Sequence, residues 1–226
     1  MKLLKISLSI IFIANLSACF DFATSDSEPY NIDDRYSIPD DQKLTDKQSN
    51  ANNPLVLIKT NYGDIVLELF QDKAPVTVEN FLKYVDEGYY NKTLFHRVRE
   101  KFMIQGGGYT YDLKEKEKRD PIKNEASNGL KNNIYTLAMA RTDDPNSAQA
   151  QFYINTVNNP NLDFQTLSST GIGYCVFGKV IKGFQTVDKI GSLKCRKSDL
   201  NIGEKSFPVK PVKIISVTRT KKVSNN

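Results

Sequence analysis

Phe95-His96-Arg97, then Phe102-Met103-Ile104-Gln105-Gly106-Gly107, and further along Gln151-Phe152-Tyr153-Ile154-Asn155 are the stretches on which the reading of this chain turns. They read as strands, in which side chains two apart share a face. Met103 therefore points with Gln105, and Gln151 with Tyr153, while Ile104, Phe152 and Ile154 point toward a core. Apolar and amide side chains thus stand together on one face, beside a single arginine, Arg97. Guanidinium is always protonated and presents a planar fork of donors. The combination suits a groove that holds a peptide. Gly106-Gly107-Gly108 alone indicates only a turn or bulge that needs a permissive backbone.

Outward from these strands the chain is mostly β. Leu55-Val56-Leu57-Ile58-Lys59-Thr60 and Ile65-Val66-Leu67-Glu68-Leu69-Phe70 flank the turn residues Asn61-Tyr62-Gly63-Asp64 and predict a hairpin. From Pro75, Val78, Phe81, Leu82 and Val85 recur at helical spacing until Gly88 stops the run. A second, shorter helix fits 184–190, and a strand fits 211–217. From Pro54 onward the chain is long enough for one domain with a sizeable core, and it shows no internal repeat. Periodicity by itself says only that the domain is β-rich with two helices.

Six blocks in order carry a resemblance: 95–97, 102–108, Pro121-Ile122-Lys123-Asn124-Glu125, 137–142, 151–155 and Val176-Phe177-Gly178-Lys179-Val180. Between about Leu55 and Thr220 the chain resembles the cyclophilins, peptidyl-prolyl cis/trans isomerases, and in particular their periplasmic bacterial branch. The resemblance implies a mainly β fold, a closed eight-stranded antiparallel β-barrel capped by two α-helices, over 54–222, with 223–226 as a tail. Barrel closure removes exposed strand edges.

It also implies the chemistry. An X–Pro bond isomerises over roughly 18–20 kcal/mol because rotation destroys amide resonance. No nucleophile or cofactor is needed; a catalyst can stabilise the twisted amide, whose nitrogen regains a lone pair that accepts a hydrogen bond. By resemblance Arg97 donates it. A charge-assisted hydrogen bond is worth roughly 1.5–3 kcal/mol, whereas a 10⁵-fold acceleration needs about 7 kcal/mol, so gripping the proline and excluding water must supply the rest. The resemblance gives Phe102, Met103, Tyr153 and Leu162 to the proline pocket and Gln105 to orienting Arg97 and the substrate. Ala140, Arg141 (mainly through its backbone) and Gln151 fall beside the proline, with Tyr174 on the rim. Without the resemblance, ordinary core packing would account for Phe102 and Leu162.

Three departures from the family pattern stand out. Tyr153 replaces the usual phenylalanine, so that its hydroxyl either snorkels outward or narrows the pocket. Arg99-Glu100-Lys101 replaces a more apolar, proline-containing turn, which predicts a more mobile start to the Phe102 strand. Asn161 stands where an aromatic usually forms one wall of the groove, and the resemblance therefore implies weak binding of the cyclic peptide cyclosporin.

His96, the only histidine, reads as a hydrogen-bonded structural residue, since isomerisation transfers no proton and a metal needs several converging donors. No Ser/His/Asp triad, phosphate loop or metal motif can be assembled. Cys175 and Cys195 either pair across a loop of about 20 residues, worth roughly 3 kcal/mol on the chain-entropy model, or remain free. Both alternatives stay open.

The amino-terminal end bears on cell biology. Lys2 and Lys5 precede an apolar stretch from Ile6 to Ala14 and then Leu16-Ser17-Ala18-Cys19. The apolar stretch is too short for a bilayer of about 30 Å, which takes roughly 20 residues, so 1–18 reads as a cleaved signal peptide with a lipobox. Cys19 becomes the acylated first residue, and Phe20 after it resembles outer-membrane sorting. Residues 19–53 carry eight carboxylates against three cations and read as a disordered tether with a reach of roughly 30–35 Å. The chain's formal charge is +5; setting aside the two leader lysines and the tether's excess of five carboxylates leaves about +8 on the folded part. In an exported domain that charge serves solubility or weak attraction to anionic envelope surfaces, not nucleic acid. Residues 114–119 read as a solvated loop. The expected molecule is a monomeric, envelope-anchored isomerase, lipid-held in the outer membrane facing the periplasm, acting on proline-containing segments of exported proteins. A noncatalytic peptide-binding chaperone or a surface interaction lipoprotein on the same scaffold is the alternative.

Overall fold

The computed structural model describes residues 52–168, 171–197, 200 and 204–221. The leader and Cys19 lie outside them. Ten strands and two helices are present among the described residues: β1 Leu55–Thr60, β2 Gly63–Leu69, α1 Pro75–Asp86, β3 Thr93–Arg99, β4 Met103–Thr110, β5 Thr136–Met139, β6 Phe152–Asn155, β7 Val176–Lys182, α2 Phe184–Gly191, β8 Cys195–Lys197, β9 Lys205–Pro208 and β10 Val212–Thr220. Eight of the strands close a barrel in the order β1-β10-β3-β4-β6-β5-β7-β2, with antiparallel neighbours throughout. The mainly β, eight-stranded closed barrel with two helices is thus the fold. The β8–β9 hairpin stands outside the barrel and has no counterpart in the sequence reading.

Helix α1 begins on Pro75, where a missing N–H costs nothing, and buries Val78, Phe81, Leu82 and Val85. It has no cap of its own at Ala74. Instead the Glu125 carboxylate accepts from the backbone N–H of Val76 at 3.2 Å and of Thr77 at 2.8 Å, so two orphan donors are satisfied from 49 and 48 residues away. At the other end Gly88, at φ +65°, allows its N–H to reach the Val85 carbonyl and the Tyr89 N–H to reach that of Tyr84, a Schellman closure. Phe81 meets Tyr90, Phe152 and Phe177 at ring centroid distances of 5.1–5.5 Å, which ties the helix to the barrel interior.

Residues 114–119 are not simply a solvated loop. Lys116 Nζ lies 4.4 Å from the Tyr89 ring centroid and donates to the Tyr89 carbonyl, Arg119 pairs with Glu87, and the Arg119 N–H reaches the Tyr84 hydroxyl at 2.8 Å. The aromatic end of α1 gives these cations something to lie on.

Cys175 is buried beside Thr77, and Cys195 donates toward the Val98 and Leu193 carbonyls; both are free thiols. Burial pushes the Cys175 thiol up to about 12.

Candidate functional site

The β3–β4–β6–β5 face is built by register. Arg97 stands opposite Gln105, Gln105 opposite Tyr153, and Tyr153 opposite Ala138, a row across four strands. Side chains at directly opposed positions share a face. Ile104, Phe152 and Ile154 enter the core of the barrel, while Met103 and Tyr153 join a second cluster with Ala138 and Val176, against which Phe102, Ala140, Leu162 and Tyr174 pack.

Between Phe95 and Arg97 the β3–β4 register shifts by one residue. Phe95 and Val98 belong to the core, whereas His96 and Arg97, adjacent in sequence, both line the outer groove. A regular strand cannot put neighbours on one face; a bulge can. On β4, Gly107 at φ +84° makes room for Tyr90 and Phe152, whose rings would stand 2.8 and 3.0 Å from any Cβ there.

The outer face carries a groove of about 420 Å³. Arg97, Phe102, Met103, Gln105, Ala140, Arg141, Gln151, Tyr153, Leu162 and Tyr174 all line it. Asn161 does not: it is exposed on the short 3-10 turn Pro160–Leu162, and Leu162 alone of that pair reaches the groove. A neighbouring depression of about 140 Å³ shares Gln105, Ala140, Arg141 and Gln151 and adds Lys118 and Ser147.

Polar contacts fix the middle of the groove. Arg97 Nη1 donates to Gln105 Oε1 at 3.1 Å, and Gln105 Nε2 donates to Gln151 Oε1 at 2.9 Å. The Arg141 guanidinium is held by the Gly173 and Thr142 carbonyls and lies 4.4 Å from the Tyr174 ring centroid. Its Nε and Nη1 donors are spent on these backbone carbonyls.

One of the two alternatives for Tyr153 is excluded, and the expected mobile start of β4 is corrected. Tyr153 is 4% exposed and its hydroxyl donates inward to Asn132 Oδ1 at 2.8 Å, so its tip does not snorkel outward. Asn132 in turn donates to the Leu162 carbonyl and to Asp163, which joins the groove floor to the Leu162 turn. The start of β4 is also well held. Phe102 N–H closes a turn on the Arg99 carbonyl, Asn159 Nδ2 donates to the Phe102 carbonyl, and the Arg99 guanidinium lies 5.4 Å from the Phe102 ring centroid.

Residues that the sequence reading left out of the groove are His96, Arg99 and Tyr109 in its lining, and Glu204, whose Oε1 accepts from Arg97 Nε at 2.7 Å. His96 is 2% exposed, edge-on to Tyr109, with its Nδ1 unpartnered among the described residues. Burial pushes its imidazole down to about 4; the Arg97 charge adds to this, and the Leu94 backbone, Gln151 and Glu115 oppose it. Below the ordinary histidine value of 6.5 the unfolded chain therefore binds a proton that the folded chain refuses. Stability is expected to fall by about 3 kcal/mol as pH drops from about 6.5 to about 4, then level off. Thermal melts across that window check it: His96→Gln should flatten the dependence, and an unchanged slope in the variant would contradict the assignment.

The sequence profile of the family described as cyclophilin type peptidyl-prolyl cis-trans isomerase/CLD matches residues 55–219. Peptidyl-prolyl cis-trans isomerase B of Escherichia coli (strain K12) is 52% identical over 164 residues, covering 73% of this chain and 98% of that protein. A peptidyl-prolyl cis-trans isomerase of Acinetobacter baylyi is 51% identical over 165 residues, 73% of this chain and 85% of its own length. Among solved structures, a Cryptosporidium parvum cyclophilin type peptidyl-prolyl cis-trans isomerase superposes with a TM-score of 0.60 at 28% identity, covering 76% of this chain and 99% of that one. The same parasite protein crystallised in the presence of the dipeptide Ala-Pro gives 0.58 at 29% identity, over 74% and 99%. A closed barrel with an arginine-centred groove on its outer face, a profile match across nearly all of that barrel, and relatives identical at about half their positions together mean that this chain belongs to the cyclophilin-type peptidyl-prolyl cis-trans isomerase family.

Proposed function

We propose that the protein is an envelope-tethered prolyl isomerase acting on proline-containing segments of exported proteins, with Arg97 as the donor to the twisted amide. The observation that carries this is the Arg97–Gln105–Gln151 chain of hydrogen bonds set against the apolar wall of Phe102, Met103 and Leu162. A proline ring fits the apolar side while the amide nitrogen faces the guanidinium. Rotation about the X–Pro bond weakens resonance and exposes a nitrogen lone pair, and a donor already in place stabilises that state more than the planar ground state. Gln105 and Gln151 offer amide groups to the peptide flanking the proline, and the Ala-Pro dipeptide used with the Cryptosporidium parvum relative is the smallest ligand of that kind. A protease-free isomerisation assay with a proline tetrapeptide and the full chain is the test. Acceleration supports an enzyme; binding without acceleration would make the protein a peptide-holding chaperone.

The location rests on the leader and tether, which up to residue 51 lie outside the described residues; Asn53, at the end of the tether as read from sequence, belongs instead to the folded domain, buried and donating to Glu68. Lys2, Lys5, the apolar stretch and Leu16-Ser17-Ala18-Cys19 support export and acylation at Cys19, and the acidic tether supports a domain held clear of the outer membrane's periplasmic face. Cys19→Ser is expected to abolish fatty-acid labelling and move the protein from the membrane fraction to the soluble one. A variant that stays labelled and sedimenting would overturn the anchor.

Asn161, exposed beside Leu162, gives the groove no aromatic wall, so cyclosporin is expected to bind about one to two decades more weakly than to a relative with an aromatic there. Titration calorimetry should show Asn161→Trp tightening the drug with little change in turnover; tight binding to the natural chain would refute this.

A further inference from the structure

Glu204 precedes β9 in the hairpin that stands outside the barrel. That hairpin is docked: Ser206 and Phe207 of β9 are buried, and Cys195 of β8 donates to the Val98 carbonyl of β3. From this base the Glu204 carboxylate takes two arginines at once, Arg97 through Nε at 2.7 Å on Oε1 and Arg99 through Nε at 3.4 Å on Oε2. Arg97 and Arg99 are two apart on β3 and share a face, so without the carboxylate two cations would repel each other at the groove.

A guanidinium has five N–H donors in one plane. For Arg97, Nε–H goes to Glu204 and one Nη1–H to Gln105, bonds on two edges of the plane that together stop it rotating about its stem. Both Nη2 N–H groups and one on Nη1 remain for a ligand among the described residues. Arg99, held by the other carboxylate oxygen, lies over Phe102, so the same acid also steadies an apolar wall of the groove.

We propose that Glu204 is a positioning residue for isomerisation, fixing the plane of the Arg97 guanidinium so that its free N–H groups meet the twisted amide. Glu204 has this role only if Arg97 is the donor, as proposed above. Reach, more than charge, is what the geometry requires, and the two can be separated. Glu204→Gln keeps an acceptor oxygen at the same distance; Glu204→Asp keeps the charge but is one methylene too short.

The test is kcat and KM for a proline tetrapeptide with the full chain, alongside circular dichroism and melting. Glu204→Ala and Glu204→Asp are expected to lower kcat about five- to tenfold with KM within about twofold, and Glu204→Gln to recover most of the loss. Because lysine has no Nε–H fork, Glu204→Ala added to Arg97→Lys should cost nothing further. The proposal is overturned if Glu204→Asp retains full kcat, or if Glu204→Ala costs as much in the Arg97→Lys background as in the natural one. A slowed Arg97→Lys with a fully active Glu204→Asp removes only the role of Glu204; an Arg97→Lys with undiminished kcat removes Arg97 as donor and Glu204 with it. Glu204→Asp keeps a charged surface side chain, so the comparison survives even if Glu204→Ala does not fold.

Discussion

Arg97→Ala is expected to lower the isomerisation rate by about 10- to 100-fold, the factor that a charge-assisted hydrogen bond of roughly 1.5–3 kcal/mol in the transition state represents. On the proposed mechanism the rest of the acceleration belongs to the apolar wall of Phe102, Met103 and Leu162, which the substitution leaves in place. Folding should scarcely notice. The Arg97–Glu204 pair is partly exposed, with side chains 26% and 30% accessible, and Glu204 still faces Arg99 after the change. Pairs of that kind are worth up to about 1 kcal/mol, or roughly 2–4 °C in a domain of this size. Exchange spectroscopy on a proline peptide and a melting curve on the same sample decide it. Undiminished turnover would remove the donor from the mechanism, and a collapse of the fold would make Arg97 a structural residue.

Lys179→Ala carries the largest expected loss of stability. Lys179 on β7 stands directly opposite Glu68 on β2, with Nζ 3.6 Å from Oε2, at 8% and 2% exposure. Asn53 donates to the other carboxylate oxygen at 3.0 Å. Two charges placed this deep have lost their water, so removing the ammonium takes from the Glu68 carboxylate the cation it faces across the β2–β7 ladder. Breaking a buried pair from one side costs about 3–5 kcal/mol, which at roughly 2–4 °C per kcal/mol lowers the melting temperature by about 10 °C. Replacing both, Lys179→Met with Glu68→Leu, should restore most of it. A single variant that melts within about 2 °C of the natural chain would show that the pair is not buried in solution.

Much of the barrel was legible from local pattern. Alternation marked β1, β2 and β10, helical spacing from Pro75 and from Phe184 marked both helices, and parity along β4 and β6 sorted Ile104, Phe152 and Ile154 from Met103, Gln105 and Tyr153. Closure of the barrel came from the family resemblance, because no local signal says which strand meets which. Most of the hidden side-chain contacts share one physical character, a partner distant in sequence. Glu204 is 107 residues from Arg97, Asn132 is 21 from Tyr153, and Lys179 faces Glu68 only through the β2–β7 ladder. The β8 and β9 strands are three and four residues long and carry lysine, arginine and proline, too short and polar for alternation to show. The bulge at His96 was hidden for another reason: strict alternation places neighbours on opposite faces, and only the β4 register reveals the extra residue.

The pairing of β1 with β10 sets Leu55 beside Thr220, so the chain enters and leaves the barrel at one point. Tension applied between those two ends would load the ladder one hydrogen bond at a time, in the manner of a zipper and not of a lap joint. A domain pulled between the chain before Leu55 and a cargo fused after Thr220 should therefore yield at low force, opening from the β1–β10 seam before the groove strands feel the load. The same adjacency lets the two ends be joined by a short linker and new ends cut elsewhere, as at the exposed Asp143-Asp144 turn, to give a circular permutant whose weakest mechanical direction lies somewhere else.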